Sequence, residues 1–359
     1  MHANVLENRR PVSHTLASAL LGLAACGGPG SVGSSSFNPA ETAAATTSST
    51  AGTPVDVSSG DAAADSSSGE MGSGPVLDVG DEPPDTANPD ASVGCSKADF
   101  IFLVEDSAEL EQEQAILAAN IPGFVDTLQN DLTEIKSLHI GVVPTGPYEF
   151  DPEPPICDTL GATITRTEGR GSSNAECGPF EGGGRFMTED DDLAESLGCA
   201  LRPGIGGSIW QRPMDSLRRA LSDEMNQPGA CNEGFIRDDA LLVIVIIAAI
   251  DDFNISQGNT NSGSAGGPIE WVQDVIAHKG REENVAVVSI VPTVPPNACD
   301  GILDPKDPEF YSPADRLITF TRAFTHGLVG DICAPDFSDV LGEAITSIEA
   351  ACMDFVPEG

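Results

Sequence analysis

The chain has 359 residues and a formal net charge of −39 at pH 7, which argues against binding to nucleic acid or to anionic lipid head groups. Its length allows one large domain or two smaller ones, and its composition divides it into three unequal parts. Nine cysteines are typical of a protein exported to an oxidising compartment.

Residues 1–25 have the pattern of a secretory signal peptide. Arg9 and Arg10 supply a positive first region, and residues 16–24 supply a short apolar region. A bilayer span needs about 20 apolar residues, so this run is too short to remain as a membrane helix. We therefore expect the segment to direct export.

Cys26 ends the sequence Leu-Ala-Ala-Cys, which matches the bacterial lipobox. We expect Cys26 to be lipidated and to anchor the protein to the membrane of the bacterial cell envelope. The alternative is an ordinary signal peptide followed by an incidental cysteine. Gly27, rather than Asp, follows the cysteine, and by resemblance to lipoprotein sorting this favours the outer membrane.

Residues 26–94 form an acidic segment rich in Ser, Ala, Gly and Pro. Between Gly27 and Val93 there are ten acidic residues and neither Lys nor Arg. Such a composition buries too little apolar surface to offset the entropy of ordering, so the segment is predicted to be a disordered linker. Its simplest role is to hold a folded head away from the membrane.

The folded head is predicted to span residues 95–359, where strand and helix patterns alternate. Strands are predicted over 98–104, 138–143, 240–250 and 285–291, and helices over 109–128, 191–201, 213–225, 269–278, 315–325 and 336–351. The eleven consecutive apolar residues at 240–250 indicate a central parallel strand that is covered on both faces. The alternation predicts an α/β fold with a three-layer, doubly wound and mainly parallel sheet.

Residues 146–188 are a long segment without a regular pattern, and we treat them as an insertion in the head. A loop of this length in a compact domain is usually functional or held by disulfides. Because it follows the carboxyl end of a strand, it is expected on the same edge of the sheet as the loop at residue 105. The segment is either a surface for partner recognition or a decoration held by disulfides, and the sequence does not distinguish the two.

Eight cysteines remain once Cys26 is set aside. An even number in an oxidising compartment predicts up to four disulfides, with 105 pairings that the sequence does not distinguish. The candidates are Cys95, Cys157, Cys177, Cys199, Cys231, Cys299, Cys333 and Cys352.

The loop after the first predicted strand carries Glu105, Ser107 and Glu109. In an open α/β sheet ligands bind beyond the carboxyl ends of the strands, and oxygen-rich loops there suit hard cations. The spacing resembles the Asp-x-Ser-x-Ser motif of the metal-ion-dependent adhesion site in von Willebrand factor type A domains. The runs at 232–242 and 332–337 also resemble that family, and with the lipobox and linker they point to its bacterial lipoproteins.

The resemblance covers roughly residues 97–352 and implies a degenerate adhesion site. The family adds a Thr from a second loop and an Asp from a third, and here those positions hold Ile205 and Ala249, which have no side-chain donor atoms. A metal site at Glu105, Ser107 and Glu109 would therefore lack two of the family's ligands, and no cofactor is expected. Two alternatives are a rearranged acidic site, described next, and an acidic edge that is simply solvated.

A rearranged Ca²⁺ site would use Glu105, Asp106, Glu109 and one of Asp251 or Asp252. Ca²⁺ is the candidate because it tolerates irregular carboxylate shells. Binding of Ca²⁺ or Mg²⁺ would be weak. Our leading interpretation is a lipid-anchored head that mediates adhesion or binds a protein or glycan partner without a metal. The second is a cation-dependent adhesin. A hydrolase is the least supported, because no Gly-x-Ser-x-Gly, His-Glu-x-x-His or P-loop motif is present, and we expect no enzyme activity.

Overall fold

The computed structural model describes residues 94–150, 157–208, 211–252, 263–298 and 312–357. The predictions for the signal peptide at 1–25, for lipidation of Cys26 and for all of the linker except Gly94 lie outside these residues, as does Cys299. Within the described ranges, no helix combines the length and apolar character needed to cross a membrane.

A six-stranded sheet with the order β3-β2-β1-β4-β5-β6 forms the centre of the head. All neighbouring strands are parallel except β3, which pairs antiparallel with β2 at one edge. The strands are β1 (Lys97–Val104), β2 (Ser137–Pro144), β3 (Met187–Thr188), β4 (Leu241–Ile247), β5 (Val285–Val291) and β6 (His326–Asp331). The predicted α/β class with a mainly parallel sheet is confirmed.

In the described ranges, seven α-helices connect and cover the strands. They are α1 (Glu111–Asp131), α2 (Leu193–Ala200), α3 (Pro213–Leu221), α4 (Asp223–Asn226), α5 (Pro268–Lys279), α6 (Asp315–Arg322) and α7 (Ser338–Asp354). The single helix predicted over 213–225 is wrong, since Ser222 has an extended backbone and separates α3 from α4. The two edge strands β3 and β6 were not predicted.

The helices lie on both faces of the sheet, which gives three layers. On one face Phe100 and Phe102 of β1 share a hydrophobic core with Leu117 of α1 and Ile345 of α7. On the other face Ile101 of β1 belongs to a second core, together with side chains of α3, α5 and α6. Alternate residues of each central strand are thus buried on opposite faces, which explains the uninterrupted apolar run at 240–250.

A disulfide between Cys95 and Cys352 joins the start of the head to α7, across 257 residues of sequence. The backbone N–H of Cys95 also donates to the carbonyl of Cys352 at 3.0 Å. This covalent link ties the segment that enters β1 to the last helix of the head. The prediction of disulfides in the head is confirmed.

Candidate functional site at the carboxyl edge of the sheet

The loops that follow β1, β2 and β4 meet at the carboxyl edge of the sheet. The N–H of Glu105 donates to the carbonyl of Ile247 at 3.0 Å, and the N–H of Thr145 donates to the carbonyl of Val104 at 3.1 Å. These bonds extend the parallel ladders one residue beyond the strands. The acidic loop is therefore fixed between the ends of its two neighbours.

The Glu105 side chain is completely buried, and its carboxylate is hydrogen-bonded within the protein. Oε2 accepts the backbone N–H of Ala249 at 2.7 Å and that of Ile250 at 3.3 Å. Oε1 accepts the hydroxyl of Ser107. Both oxygens thus face donors from the protein, two of which come from the loop after β4.

These hydrogen bonds also explain an error in the predicted strand at 240–250, of which only 241–247 is strand. The N–H of Ala248 still donates to the carbonyl of Ile290 at 3.3 Å. From Ala249 onward the N–H groups turn toward the Glu105 carboxylate, so the chain leaves the sheet.

Burial raises the pKa of Glu105 to about 7, against hydrogen bonds from Ser107, Ala249 and Ile250 that lower it. The negative charge of Glu109 raises it further. Glu109 is half-buried, and its Oε2 atom is buried without a hydrogen-bond partner among the described residues. The two carboxylates are thus close enough to interact electrostatically.

The other two loops of the predicted site contribute packing and backbone groups. The Ile205 side chain is buried, and its N–H donates to the carbonyl of Arg170 at 2.9 Å, so it packs beneath the inserted segment. A Cβ at Gly171 would lie 3.3 Å from Ile205, which shows how closely the two segments approach. Ala249 supplies a backbone donor to Glu105 instead of a carboxylate ligand.

Asp251 and Asp252 accept hydrogen bonds from helix N-termini. Asp251 accepts the N–H of Arg316 at 3.0 Å, in the first turn of α6. Asp252 is fully buried and accepts the N–H of Met214 at 3.0 Å and that of Ser264 at 2.6 Å. Burial raises the pKa of both groups, to about 6 for Asp252. Each carboxylate thus has a structural role in starting a helix or fixing a loop.

The structure brings Glu105, Ser107 and Glu109 together but ties Asp251 and Asp252 to other partners. Across the described ranges, no three His, Cys, Asp or Glu side chains converge in an arrangement that could hold a metal ion. The predictions of a family-type or a rearranged cation site remain predictions.

Asp106 lines a groove of about 300 Å³ beside the acidic loop, between the segments 147–150 and 203–208. Its side chain is 3% exposed, and Oδ1 accepts a hydrogen bond from Nε2 of Gln211 at 2.9 Å. Its backbone carbonyl accepts the N–H of Gly207 at 2.9 Å. A Cβ at Gly207 would overlap the Asp106 carboxylate, so the close approach requires glycine there.

The sequence did not single out this groove because its walls come from distant segments. Tyr148 and Phe150 belong to the start of the insertion, and their rings pack edge to face with centroids 5.5 Å apart. The Tyr148 hydroxyl donates to the carbonyl of Pro203 at 2.9 Å, which joins the insertion to the turn before α3. The sequence signal was that the insertion follows the carboxyl end of a strand, β2.

Two disulfides hold the inserted segment to the head. Cys157 is bonded to Cys231, and Cys177 is bonded to Cys199 at the end of α2. Arg170 forms an ion pair with Glu111 of α1 at 3.0 Å. The expectation that the insertion reaches the carboxyl edge is therefore correct for its central part. Cys333 is also disulfide-bonded.

A buried ionic cluster lies at the opposite end of β1 and was missed by sequence reasoning. Asp99 is fully buried and accepts hydrogen bonds from the backbone N–H of Arg237 at 2.6 Å and from its Nε at 2.8 Å. The ring of His139 lies 3.7 Å from the same carboxylate. Burial raises the pKa of Asp99 to about 6, while Arg237 and Lys279 lower it. We assign this cluster a structural role, which is to hold the segment that enters β4, and not a role in partner binding.

No protein-family model matches the chain, and no curated protein matches it in sequence. Among solved structures, the chain is similar to proximal thread matrix protein 1 from the mussel byssus. Its two crystal forms match 71% of this chain at 11% and 14% identity, each with a TM-score of 0.38. A pilus adhesin, SpaC from Lactobacillus rhamnosus GG in the open conformation, matches 73% of this chain at 9% identity with a TM-score of 0.34.

This chain spans 49% and 48% of the mussel structures and 30% of the pilus adhesin. The neighbours thus include an adhesin and a matrix protein, but at these scores neither fold nor function is transferred from them. The α/β assignment rests on the order and direction of the strands in this chain.

Proposed function

We propose that the chain is a lipid-anchored protein of the bacterial envelope whose von Willebrand type A-like head binds a protein or glycan partner. In this proposal, partner binding does not require a divalent cation, and the head has no catalytic activity. The contact surface is the carboxyl edge of the sheet, formed by the 105–112 loop, the inserted segment and the turn before α3. The anchor is proposed at Cys26, from the lipobox in the sequence.

Partner binding without a divalent cation is supported by the hydrogen bonds to the Glu105 carboxylate. A cation in a family-type site would need this carboxylate as a ligand, yet the N–H of Ala249 occupies Oε2 at 2.7 Å and Ser107 donates to Oε1. Mg²⁺ in particular requires near-octahedral oxygen ligands, and the residues at 205 and 249 offer no side-chain oxygen. Protein donors thus supply the positive partial charges that a cation would otherwise supply.

The open groove next to Asp106 supports a binding role for the same edge. A volume of about 300 Å³ lies at the small end of the range for ligand sites, and Tyr148, Phe150 and Asp106 are among the residues that line the groove. Disulfides fix the inserted segment that forms one wall. Little ordering entropy would be lost when a partner binds to such a surface.

A cation-dependent adhesin is the second candidate, and one observation favours it. Oε2 of Glu109 is buried without a hydrogen-bond partner among the described residues, and its charge raises the pKa of Glu105. A cation bound between these carboxylates would relieve both effects. The two candidates differ in one measurable property, which is whether partner binding survives chelation.

The test is binding of the labelled, purified full chain to immobilised protein and glycan arrays, with divalent cations and with EDTA. We expect saturable binding that EDTA leaves unchanged and that the double variant Asp106→Asn/Phe150→Leu weakens. Glu134→Gln, an exposed acid in the turn before β2, is the matched control and should bind like the wild type. Loss of binding in EDTA would favour the second candidate, and no saturable binding on either array would refute a partner-binding head.

A further inference from the structure

The Asp106 carboxylate in the groove has no ion-pair partner among the described residues. Its side chain is 3% exposed, and the hydrogen bond that it accepts from another side chain comes from the neutral amide of Gln211, at 2.9 Å. Asp99, the comparable buried acid at the other end of β1, instead pairs with the guanidinium of Arg237 at 2.7 Å. A buried carboxylate without a counter-ion favours a cationic ligand.

The walls of the groove suit an organic cation better than a hydrated metal ion. Tyr148 and Phe150 present aromatic rings, and a cation near a ring face is attracted by its quadrupole. The hydroxyl of Tyr148 donates to the carbonyl of Pro203 and accepts the N–H of Glu168 at 3.1 Å, so the ring is held in place. Glu149 is exposed at the same groove and adds negative charge near its opening.

The hydrogen bonding of Asp106 distinguishes between the two basic side chains. Oδ1 already accepts Nε2 of Gln211, whereas Oδ2 accepts no hydrogen bond from another residue among those that the structure describes. Arginine is favoured where two carboxylate oxygens are free for a bidentate contact, whereas the lysine ammonium acts as a point charge on a thin, flexible stem. A groove of about 300 Å³ that is lined by two aromatic residues and by Asp106 suits the apolar stem and charged end of one lysine side chain.

We propose that this groove binds a lysine side chain of a partner protein, with the Asp106 carboxylate accepting from the ammonium group and the Tyr148 and Phe150 rings lining its stem. The inference rests on the proposed function, because it assigns the partner as a protein with an exposed lysine. It places the direct contact at Asp106, one residue after the buried Glu105. The partner's cation would then contact the protein without a bridging metal.

The experiment uses the ¹⁵N-labelled full chain and follows the amide signals of Gly206 and Gly207 during titration with N-acetyl-lysine N-methylamide. Sodium chloride at about 150 mM screens the diffuse attraction between the acidic chain and any cation. The matched probe carries an acetyl group on the ε-nitrogen, which removes the charge and keeps the stem. A third probe, neutral chitotriose, represents a glycan partner.

We expect the charged probe to shift both glycine signals in a saturable way, and the acetylated probe to bind about tenfold more weakly or not at all. Asp106→Asn should weaken binding about tenfold, Phe150→Leu about threefold, and Glu134→Gln should leave it unchanged. Circular dichroism checks that each variant is folded. If Asp106→Asn unfolds, Phe150→Leu and the acetylated probe decide the result.

Equal binding of the charged and acetylated probes, or unchanged binding by a folded Asp106→Asn variant, would overturn the proposal. Chitotriose shifting the glycine signals while the lysine probe does not would overturn it in favour of a glycan site. These failures are separable from failure of the proposed function. Array binding without lysine binding refutes only the lysine site, whereas lysine binding without array binding refutes only the partner-binding function.

Discussion

The backbone N–H of Ala249 lies 2.7 Å from Oε2 of Glu105, and this hydrogen bond joins the loop after β4 to the loop after β1. These strands are neighbours in the sheet, and the chain turns away in opposite directions at the point between them. Ligands of open α/β sheets usually bind at such a switch point. Here the hydrogen bond between Ala249 and Glu105 closes the switch point. The open groove lies beside Asp106 instead.

The first prediction concerns pH. The folded-state pKa of Glu105 is raised from 4.5 to about 7, so protonation of Glu105 favours the folded state. Its contribution is fully present below pH 4.5 and is lost as the pH rises to about 7, a change on the order of 3 kcal/mol. The melting temperature of the wild type should therefore fall as the pH rises from 4.5 to about 7. In Glu105→Gln this fall should be smaller. Asp99, Asp106 and Asp252, with pKa values of about 6, should leave a residual slope.

The measurement is the melting temperature at several pH values for the wild type, Glu105→Gln and the exposed control Glu134→Gln. The control should keep the wild-type slope. An unchanged slope in Glu105→Gln would mean that Glu105 is ionised throughout this range in the folded protein.

The second prediction concerns the close approach of Gly207 to Asp106. Gly207→Ala should destabilise the head by about 1–3 kcal/mol, because the new Cβ overlaps the Asp106 carboxylate. Gly342→Ala, in α7, is the control: a Cβ there meets no atom within 4 Å, and alanine favours helix. Denaturant unfolding measures both. Asp106→Ala should recover part of the loss in the double variant, and independent, additive effects would contradict the contact.

The third prediction concerns the buried ion pair at the amino end of the sheet. Arg237→Ala should destabilise the head by about 3 kcal/mol, because it leaves the fully buried Asp99 without its nearest cation. Arg170→Ala removes an exposed ion pair with Glu111 and should cost less than about 1 kcal/mol. Denaturant unfolding compares the two, and similar losses would show that burial of the Asp99 pair has no special effect.

The fourth prediction concerns the proposed anchor. Mass spectrometry of the mature protein from bacterial membranes should find an acylated Cys26 at the N-terminus, because the Leu-Ala-Ala-Cys sequence matches the lipobox. Cys26→Ser should move the protein to the soluble envelope fraction. An unmodified N-terminus at another residue would remove the lipid anchor from the proposal.

The central strands were predictable because complete burial imposes an apolar run, as at 241–247. The edge strand β6 was not, since it contains Gly327 and Gly330 and much of it is only half-buried. A Cβ at Gly330 would lie too close to the Val340 side chain of α7, so glycine marks close helix packing here rather than a turn. Such a glycine cannot be distinguished from a turn glycine in the sequence alone.

At the site, the sequence placed Glu105, Ser107 and Glu109 in one loop but gave Ala249 no role, because its side chain has no metal-ligating atom. That reasoning considered side chains, whereas Ala249 contributes its backbone N–H. Asp106 entered only as an alternative Ca²⁺ ligand, because its aromatic neighbours Tyr148 and Phe150 lie in an insertion without a regular pattern. Contacts between loops depend on tertiary folding, and no local pattern indicates them.

The most direct test of the proposal is the melting temperature of the purified full chain in EDTA and in about 5 mM Mg²⁺ or Ca²⁺. A cation at 100 times its dissociation constant would stabilise the fold by about 2.7 kcal/mol and raise the melting temperature by about 5 °C or more. We predict a change of less than about 1 °C, because the Glu105 carboxylate is already hydrogen-bonded to Ala249 and Ser107. A rise of several degrees that Glu105→Gln abolishes would contradict metal-independent binding.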